Sequence, residues 1–237
     1  MKILFLDTET TDAEPDARLV QLAYKNDDNG DIVSEYFKPP VPITFGAMAV
    51  HHITSEMVED KPVFAGSETE SKLKEDVQNH LVVAHNAPFD INILKNEGIE
   101  VDEYIDTLRI ARHILDSEGY SLQFLRYSLD LGIEGMAHDA MGDVIVLESL
   151  FEHLKTKMVD EYSLKNDKEI IDKMKEFTNM PVLMDNFLFG KHRGKSFKEI
   201  ATQDKGYLEW LHGSETMKPE PEQNEDLVYT LKHYLGY

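Results

Sequence analysis

The chain has 237 residues, 41% of them hydrophobic, with no cysteine and a formal net charge of −21. That length bounds it to one or two domains with enough apolar residues for a proper core. Without thiols there is no disulfide framework and no thiolate metal site, and no apolar run approaches the roughly 18 residues that a membrane span needs. The apolar N-terminal stretch is interrupted by Asp7 and Glu9, so it does not read as a secretory signal, and the expected location is cytoplasmic.

The charge is uneven. Residues 1–160 hold 13 Lys and Arg against 31 Asp and Glu, whereas residues 161–237 hold 11 against 14. Such acidity is the wrong sign for a protein that grips a polyphosphate over its whole surface. Two readings stay open. One is brief contact with a strand end, aided by another segment or protein; the other is an acidic surface that serves halotolerance or a protein partner.

In chain order, residues 2–7, about 18–24 and 31–37 read as strands. Asp27-Asp28-Asn29-Gly30 separates the last two as an Asn-Gly hairpin, so the first three strands are expected to form an antiparallel meander. Asp7 and Glu9 end the first strand at i and i+2, on one face. Two carboxylates that close repel unless something positive lies between them, and hard oxygen donors suit magnesium or manganese. A plain turn cap at Asp7 or Thr8 is the competing reading. Residues 38–66, with Pro39, Pro40, Pro42 and Pro62, form a loop-plus-helix excursion. Leu81–Ala84 is a short apolar strand, and Pro88 then fits the first turn of a helix that carries Asp90. An acid there also suits the helix dipole.

A fifth strand is expected near 104–106. From Asp139 to about Lys155 the apolar residues Met141, Val144, Ile145, Leu147, Leu150, Phe151 and Leu154 recur at helical spacing. Asp143 lies within that stripe, where a carboxylate is costly unless paired or bound to a cation. His138, five residues earlier, is either an ordinary polar residue or a group reaching over the same site.

Together, Asp7-x-Glu9, His85-Asn86-x-x-Phe89-Asp90 and His138-x-Ala140-x-x-Asp143 resemble the DEDDh 3′–5′ exonucleases. These are relatives of the proofreading subunit of bacterial DNA polymerase III, ribonuclease T and exonuclease X. His51-His52-Ile53-Thr54-x-x-Met57-Val58 and Asp106-Thr107-Leu108-Arg109, followed by Ser121-Leu122-x-x-Leu125, are similar to linking segments of that family. The resemblance spans about residues 1–158 and implies a ribonuclease H-like mixed five-stranded sheet flanked by helices. It implies release of 5′-mononucleotides from a nucleic-acid 3′ end with two divalent cations, Mg²⁺ or Mn²⁺; this chemistry acts on the phosphate and does not separate DNA from RNA, and the C-terminal module described below favours DNA. Asp7, Glu9 and Asp143 would hold the ion beside the attacking water. Asp7 would bridge to a second ion near the leaving 3′-oxygen, Asp90 would complete the site largely through waters, and His138 would take the proton. Thr8, Thr10, His52 and Asn86 are candidates for touching the terminal nucleotide, with turn capping or loop organisation as the alternative for each.

Residues 159–183 are polar and helix-prone, and Met180-Pro181 marks a join. The expected organisation is a catalytic domain over 1–160, a helical linker over 161–183 and a small α+β module over 184–237. Phe187 and Phe189 alternate as in a strand, and Gly190 and Gly194 bracket a turn carrying Lys191, Arg193 and Lys195. Ser196 with Glu199 reads as a capping box, two short helices follow, and a last helix is expected near 225–235. The module resembles the Phe-Gly-Lys-x-x-Gly-Lys segment of exonuclease X-like proteins. Residues 191–198 hold four Lys and Arg and no acid, so the turn is a candidate for phosphate contact, or else a solvated turn; Trp210 is expected in the module's core. Two other functions remain to be weighed: RNA trimming by the same chemistry, and a catalytically idle interaction module.

Overall fold

Strand β1 (Ile3–Thr10) is buried along nearly its whole length, which is why its first residues read as a continuous apolar run rather than an alternation. It lies at the centre of a five-stranded sheet of order β3-β2-β1-β4-β5. Strands β2 (Leu19–Asn26) and β3 (Ile32–Tyr36) extend one side as the expected antiparallel meander. Their hairpin closes through Gly30 N–H to Asn26 C=O at 3.0 Å, with Gly30 at φ +75°, a left-handed conformation that glycine adopts without steric cost. The computed structural model describes residues 2–131 and 140–237, so His138 lies outside the described residues.

After β3 the proline-rich excursion carries α1 (Phe45–His51) and α2 (Ser55–Val58), each started by a threonine cap, Thr44 and Thr54. Helix α3 (Glu68–Asn79) leads into β4 (Leu81–Ala84), which pairs in parallel with β1. Helix α4 (Ala87–Asn96) follows, then β5 (Tyr104–Asp106), α5 (Thr107–Ile114) and α6 (Leu122–Ser128). The long α7 (Ala140–Tyr162) and α8 (Asp167–Asn179) close this part of the chain.

The pleat sorts the core. Leu4 and Leu6 point to one face of β1, where they pack with Leu73 and Val77 of α3 and Ile93 and Leu94 of α4. Ile3 and Phe5 point to the other, against Val144, Leu147, Leu150 and Phe151 of α7. Phe5 and Phe151 meet edge-on, with ring centroids 5.4 Å apart. A bidentate pair between Arg18 and Glu97, both contacts at 2.8 Å, ties the start of β2 to the end of α4.

Two compact units emerge, Met1–Thr178 and Asn179–Tyr237. The first differs from the expected boundary at residue 160. Ile170, Ile171, Met174 and Phe177 of α8 belong to the same core as Phe5 and Phe151, so the stretch read as a linker is largely part of the sheet domain. Its polar composition hid an amphipathic stripe.

The second unit is mostly helical: α9 (Phe197–Gln203), α10 (Lys205–Thr216) and α11 (Glu225–Leu235). Ser196 caps α9 by accepting from Glu199 N–H at 3.1 Å, as its spacing from Glu199 implies. The strand expected at Phe187–Phe189 reduces to an isolated bridge between Asn186 and Ser196, flanked by Phe187 N–H to Lys195 C=O and Gly194 N–H to Phe187 C=O. Phe187 stacks on Phe197 with centroids 3.8 Å apart, and Leu208, Leu211, Leu227 and Leu231 complete this core. Trp210 is not part of it: the side chain is 62% exposed, which corrects the expectation that it is buried. Among the described residues, no helix is long and apolar enough to cross a membrane.

Candidate metal-binding active site

Asp7 and Glu9 lie on the face of β1 that α7 covers, because the strand's period of two keeps them in line with Ile3 and Phe5. Asp143 enters from the first turn of α7. Each of the three offers an oxygen within 4.8 Å of the others'. They lie where the sheet's apolar packing gives way to the mouth: Ile3 and Phe5 are buried, Asp7 and Glu9 half-buried. The helix docks in this register through Phe151 on Phe5 and through an ion pair between Lys25 and Glu148 at 2.6 Å.

Asp90 comes from the opposite side of the sheet, on α4, beyond the carboxyl end of β4. It is buried, and its Oδ1 accepts from Thr8 N–H at 3.0 Å and from Thr8 Oγ1 at 2.8 Å. Asp90 is therefore outside the three-oxygen cluster, yet near enough to act on it. Asp7's carboxyl is held well above the usual carboxylate range, first by burial and then by the charges of Asp90, Asp143 and Glu9. Burial also raises Asp90, against the two bonds from Thr8.

This donor set fits a divalent cation. Its atoms are hard carboxylate oxygens, they converge, and their mutual repulsion is what a cation between them removes. The charges that raise Asp7 are those of Asp90, Asp143 and Glu9, all acids.

The remaining expected residues are placed as follows. Thr8 and Thr10 point away from Asp7 and Glu9; the Thr8 hydroxyl is bound to Asp90 and that of Thr10 donates to the Asp12 carbonyl at 2.6 Å. Asn86 is exposed and left-handed, at φ +70°, and its N–H donates to Asp106 at 2.9 Å, so its backbone organises the turn into α4. His52 ends α1, also left-handed, at φ +62°. Its neighbour His51 makes the tie to β1: Nε2 lies 3.1 Å from the Thr10 carbonyl, and Nδ1 accepts from Ile53 N–H. The Thr44 N–H to Thr11 carbonyl bond adds a second strap, so the excursion is fastened beside the carboxylate end of β1. Lys191, Arg193 and Lys195 are exposed on the turn of the second unit.

One contributor escaped the sequence reading. Gln123 of α6 donates its amide to Asp143, and its carbonyl accepts from Arg126 at 3.3 Å. It stands between the Ser121-Leu122 and Leu125 positions that were singled out, but a neutral amide in a polar loop-to-helix junction carries no signal of its own.

His85 has a structural task. It is flanked by the Thr107 hydroxyl at 2.9 Å from Nδ1 and the Tyr120 carbonyl at 2.8 Å from Nε2, which fixes the proton on Nε2. Burial, with help from the Arg112 charge, lowers its pKa to about 4. Protonation therefore favours the unfolded chain. The associated stability is complete above the unfolded value near 6.5 and is lost as pH falls toward 4, by about 3 kcal/mol at most. Urea unfolding at pH 7 and pH 4 should show this loss, and the His85→Gln variant should show a correspondingly smaller pH dependence.

Comparison with known proteins bears on the same residues. A family model described as Exonuclease matches residues 4–151, and a second, described as Exodeoxyribonuclease X-like C-terminal, matches 187–213. Exodeoxyribonuclease 10 of Escherichia coli (strain K12) is 32% identical, over 97% of each chain. The DNA polymerase III subunit epsilon of Rickettsia typhi is 26% identical over 77% of this chain and 83% of its own. Among solved structures, Exonuclease X in complex with 5′ overhanging duplex DNA is 27% identical with a TM-score of 0.54, covering 75% of this chain and 99% of that one. Escherichia coli Exonuclease I in complex with a dT13 oligonucleotide shares the fold at 19% identity, with a TM-score of 0.56 over 72% of this chain and 45% of that one.

Proposed function

The chain belongs to the exonuclease family whose model spans residues 4–151, and from that premise we propose that its carboxylate cluster is the active site of a 3′–5′ exodeoxyribonuclease. The observation that carries the reading is the convergence of Asp7, Glu9 and Asp143 within 4.8 Å, on a family scaffold that works with divalent metal. The substrate is the 3′ end of DNA and the products are 5′-mononucleotides.

Two ions, Mg²⁺ or Mn²⁺, bound among Asp7, Glu9, Asp143 and Asp90, would supply charge neutralisation on the phosphoryl group and help for the leaving 3′-oxygen. Asp7 feels the charge of Asp90, Asp143 and Glu9 alike and would be the residue to share between two ions. Gln123 fixes one oxygen of Asp143, which limits the directions that carboxylate can present. Thr8 does the same for Asp90. His138, by its position in the family motif, would accept the proton of the attacking water, a task that suits an imidazole because its neutral form is a base at physiological pH. The cytoplasm, where such DNA ends arise, is the proposed setting.

The acidic first unit leaves phosphate gripping to the second. Lys191, Arg193 and Lys195 are the proposed phosphate contacts, held on a turn closed by Gly190 and Gly194 at φ +66° and +84°. Reversing all three charges to Glu should weaken DNA binding and lower the slope of log affinity against log salt by about 2–3, near one unit per lost contact. Binding isotherms at several salt concentrations, taken in chelator, measure it; an unchanged slope removes the turn from the interface.

The direct test of the activity uses matched DNA and RNA oligonucleotides labelled at either end, incubated with Mg²⁺. A 3′-labelled DNA strand should release its label as mononucleotide at once, while the 5′-labelled strand shortens as a ladder. Release from the 5′ end first, or preference for RNA, would overturn the assignment.

A further inference from the structure

Trp210 lies on α10 with 62% of its surface exposed, although the unit around it has a complete aromatic and aliphatic core without it. Its helical neighbours on that face are Gly206, Gly213 and Ser214, at i−4, i+3 and i+4. A Cβ added at either glycine would meet nothing within 4 Å, so no side chain crowds the helix face at these two positions beside Trp210. One turn earlier, Tyr207 presents its ring 5.6 Å from the indole, tilted by 35°. Lys191 of the basic turn places Nζ 4.7 Å from the centroid of that phenol ring. The glycine at 190 is what permits this approach: a Cβ there would stand 2.7 Å from the Tyr207 hydroxyl.

A cation, a phenol and an indole thus follow one another along the surface. Arg193 and Lys198 are exposed beside them in sequence and have no ion pair among the described residues, whereas Lys191 shares Asp204 with His192. A water-facing indole is poorly solvated, and nothing in the fold uses its area. Its π-face and the nearby cations match a polyanion that also offers flat rings.

We propose that Lys191, Tyr207 and Trp210 form a second nucleic-acid contact, in which an unpaired base of single-stranded DNA stacks on the Trp210 indole while its phosphates meet Lys191 and Arg193. The choice of nucleic acid as occupant rests on the exonuclease reading and on the one acid-free basic run in a chain of net charge −21. Stacking accepts every base, so this contact holds a strand without reading its sequence. It engages nucleotides other than the one being cut, and it would lengthen the stay of a strand on an otherwise acidic protein.

Trp210 is the sole tryptophan of the chain, so its emission reports on this ring alone. The full chain, in chelator to prevent hydrolysis, is titrated with a thymidylate oligonucleotide of about 16 nucleotides, the upper site size of one single-strand binding fold. Saturable quenching is expected, with much less from an abasic strand of equal length. Trp210→Ala should weaken binding by about 5- to 100-fold, the range for one base–aromatic stack, and Trp210→Phe should restore most of it. Unquenched emission, equal quenching by the abasic strand, or full affinity in Trp210→Ala would overturn the contact. Emission that changes only with protein concentration would overturn it too, and would assign the face to a second copy of the chain. Hydrolysis of the same oligonucleotide in Mg²⁺ by the unsubstituted chain is scored separately. Hydrolysis without quenching rejects the contact and leaves the nuclease reading intact; quenching without hydrolysis does the reverse.

Discussion

Asp7→Asn should abolish DNA hydrolysis and at the same time make the metal-free protein melt at a higher temperature. The two effects have one cause. Asp7 is half-buried beside Asp90, Asp143 and Glu9, and its carboxyl is held well above the ordinary range by that environment. Near neutral pH, in the absence of a cation, folding forces these charges together, and an uncharged amide of the same shape relieves the repulsion. For a unit of this size each kcal/mol recovered raises the melting temperature by about 2–4 °C. The cation that would otherwise offset the repulsion then loses its shared ligand. Activity should fall by more than about 10³-fold, beyond the 10–100-fold typical of residues that only support a ligand. Saturating Mg²⁺ should stabilise the unsubstituted protein, by about 2.7 kcal/mol at a hundred times the dissociation constant, and do much less for the variant. Calorimetry with and without Mg²⁺, beside a hydrolysis assay, covers all three. A variant that melts lower while metal-free, or that still hydrolyses DNA at the original rate, contradicts the site.

His138→Ala should cost about 10²–10⁴-fold in single-turnover hydrolysis, the usual contribution of a general base, with DNA affinity in chelator unchanged. The pH profile distinguishes a base from a structural residue. With His138 present, the rate rises as pH approaches the imidazole pKa, near 6.5 when unperturbed, and then levels, because only the neutral ring accepts a proton. In the variant that inflection should vanish, leaving only a shallower rise from ionisation of the attacking water itself. An inflection that persists unchanged in His138→Ala assigns it to another group and removes His138 from the chemistry.

The sheet could be read from the sequence because its signals were local. The buried run in β1, the Asn-Gly hairpin after β2 and the short apolar segments at β4 and β5 each occur within a few residues. The cluster of Asp7, Glu9 and Asp143 could be read for a related reason: two acids share a strand face, and the third interrupts an apolar stripe. What sequence could not show depended on partners far along the chain. The apolar residues of α8 are few among charged ones, so its place in the sheet core appeared only once Phe5 and Phe151 were seen beside it. Thr8 looked like a possible nucleotide contact because it adjoins the carboxylates read as metal ligands, but the pleat turns it to the other face, where Asp90 takes its hydroxyl. Gln123 acquires meaning only from Asp143, twenty residues on. The expectation for Trp210 followed the rule that tryptophan is buried, and the glycines beside it on α10 carry no apolar pattern that would have signalled its exposure.

The carboxylates at positions 7 and 9 lie on β1, and their third companion arrives only with α7, more than 130 residues later. Until that helix is synthesised and docked, β1 presents two acids with no Asp143 opposite them, and the growing polypeptide cannot assemble the three-oxygen cluster. A nascent chain that stops just before α7 therefore carries all five strands of the sheet and still lacks the third carboxylate of the proposed centre, so the order of synthesis would delay nuclease activity until the domain is whole.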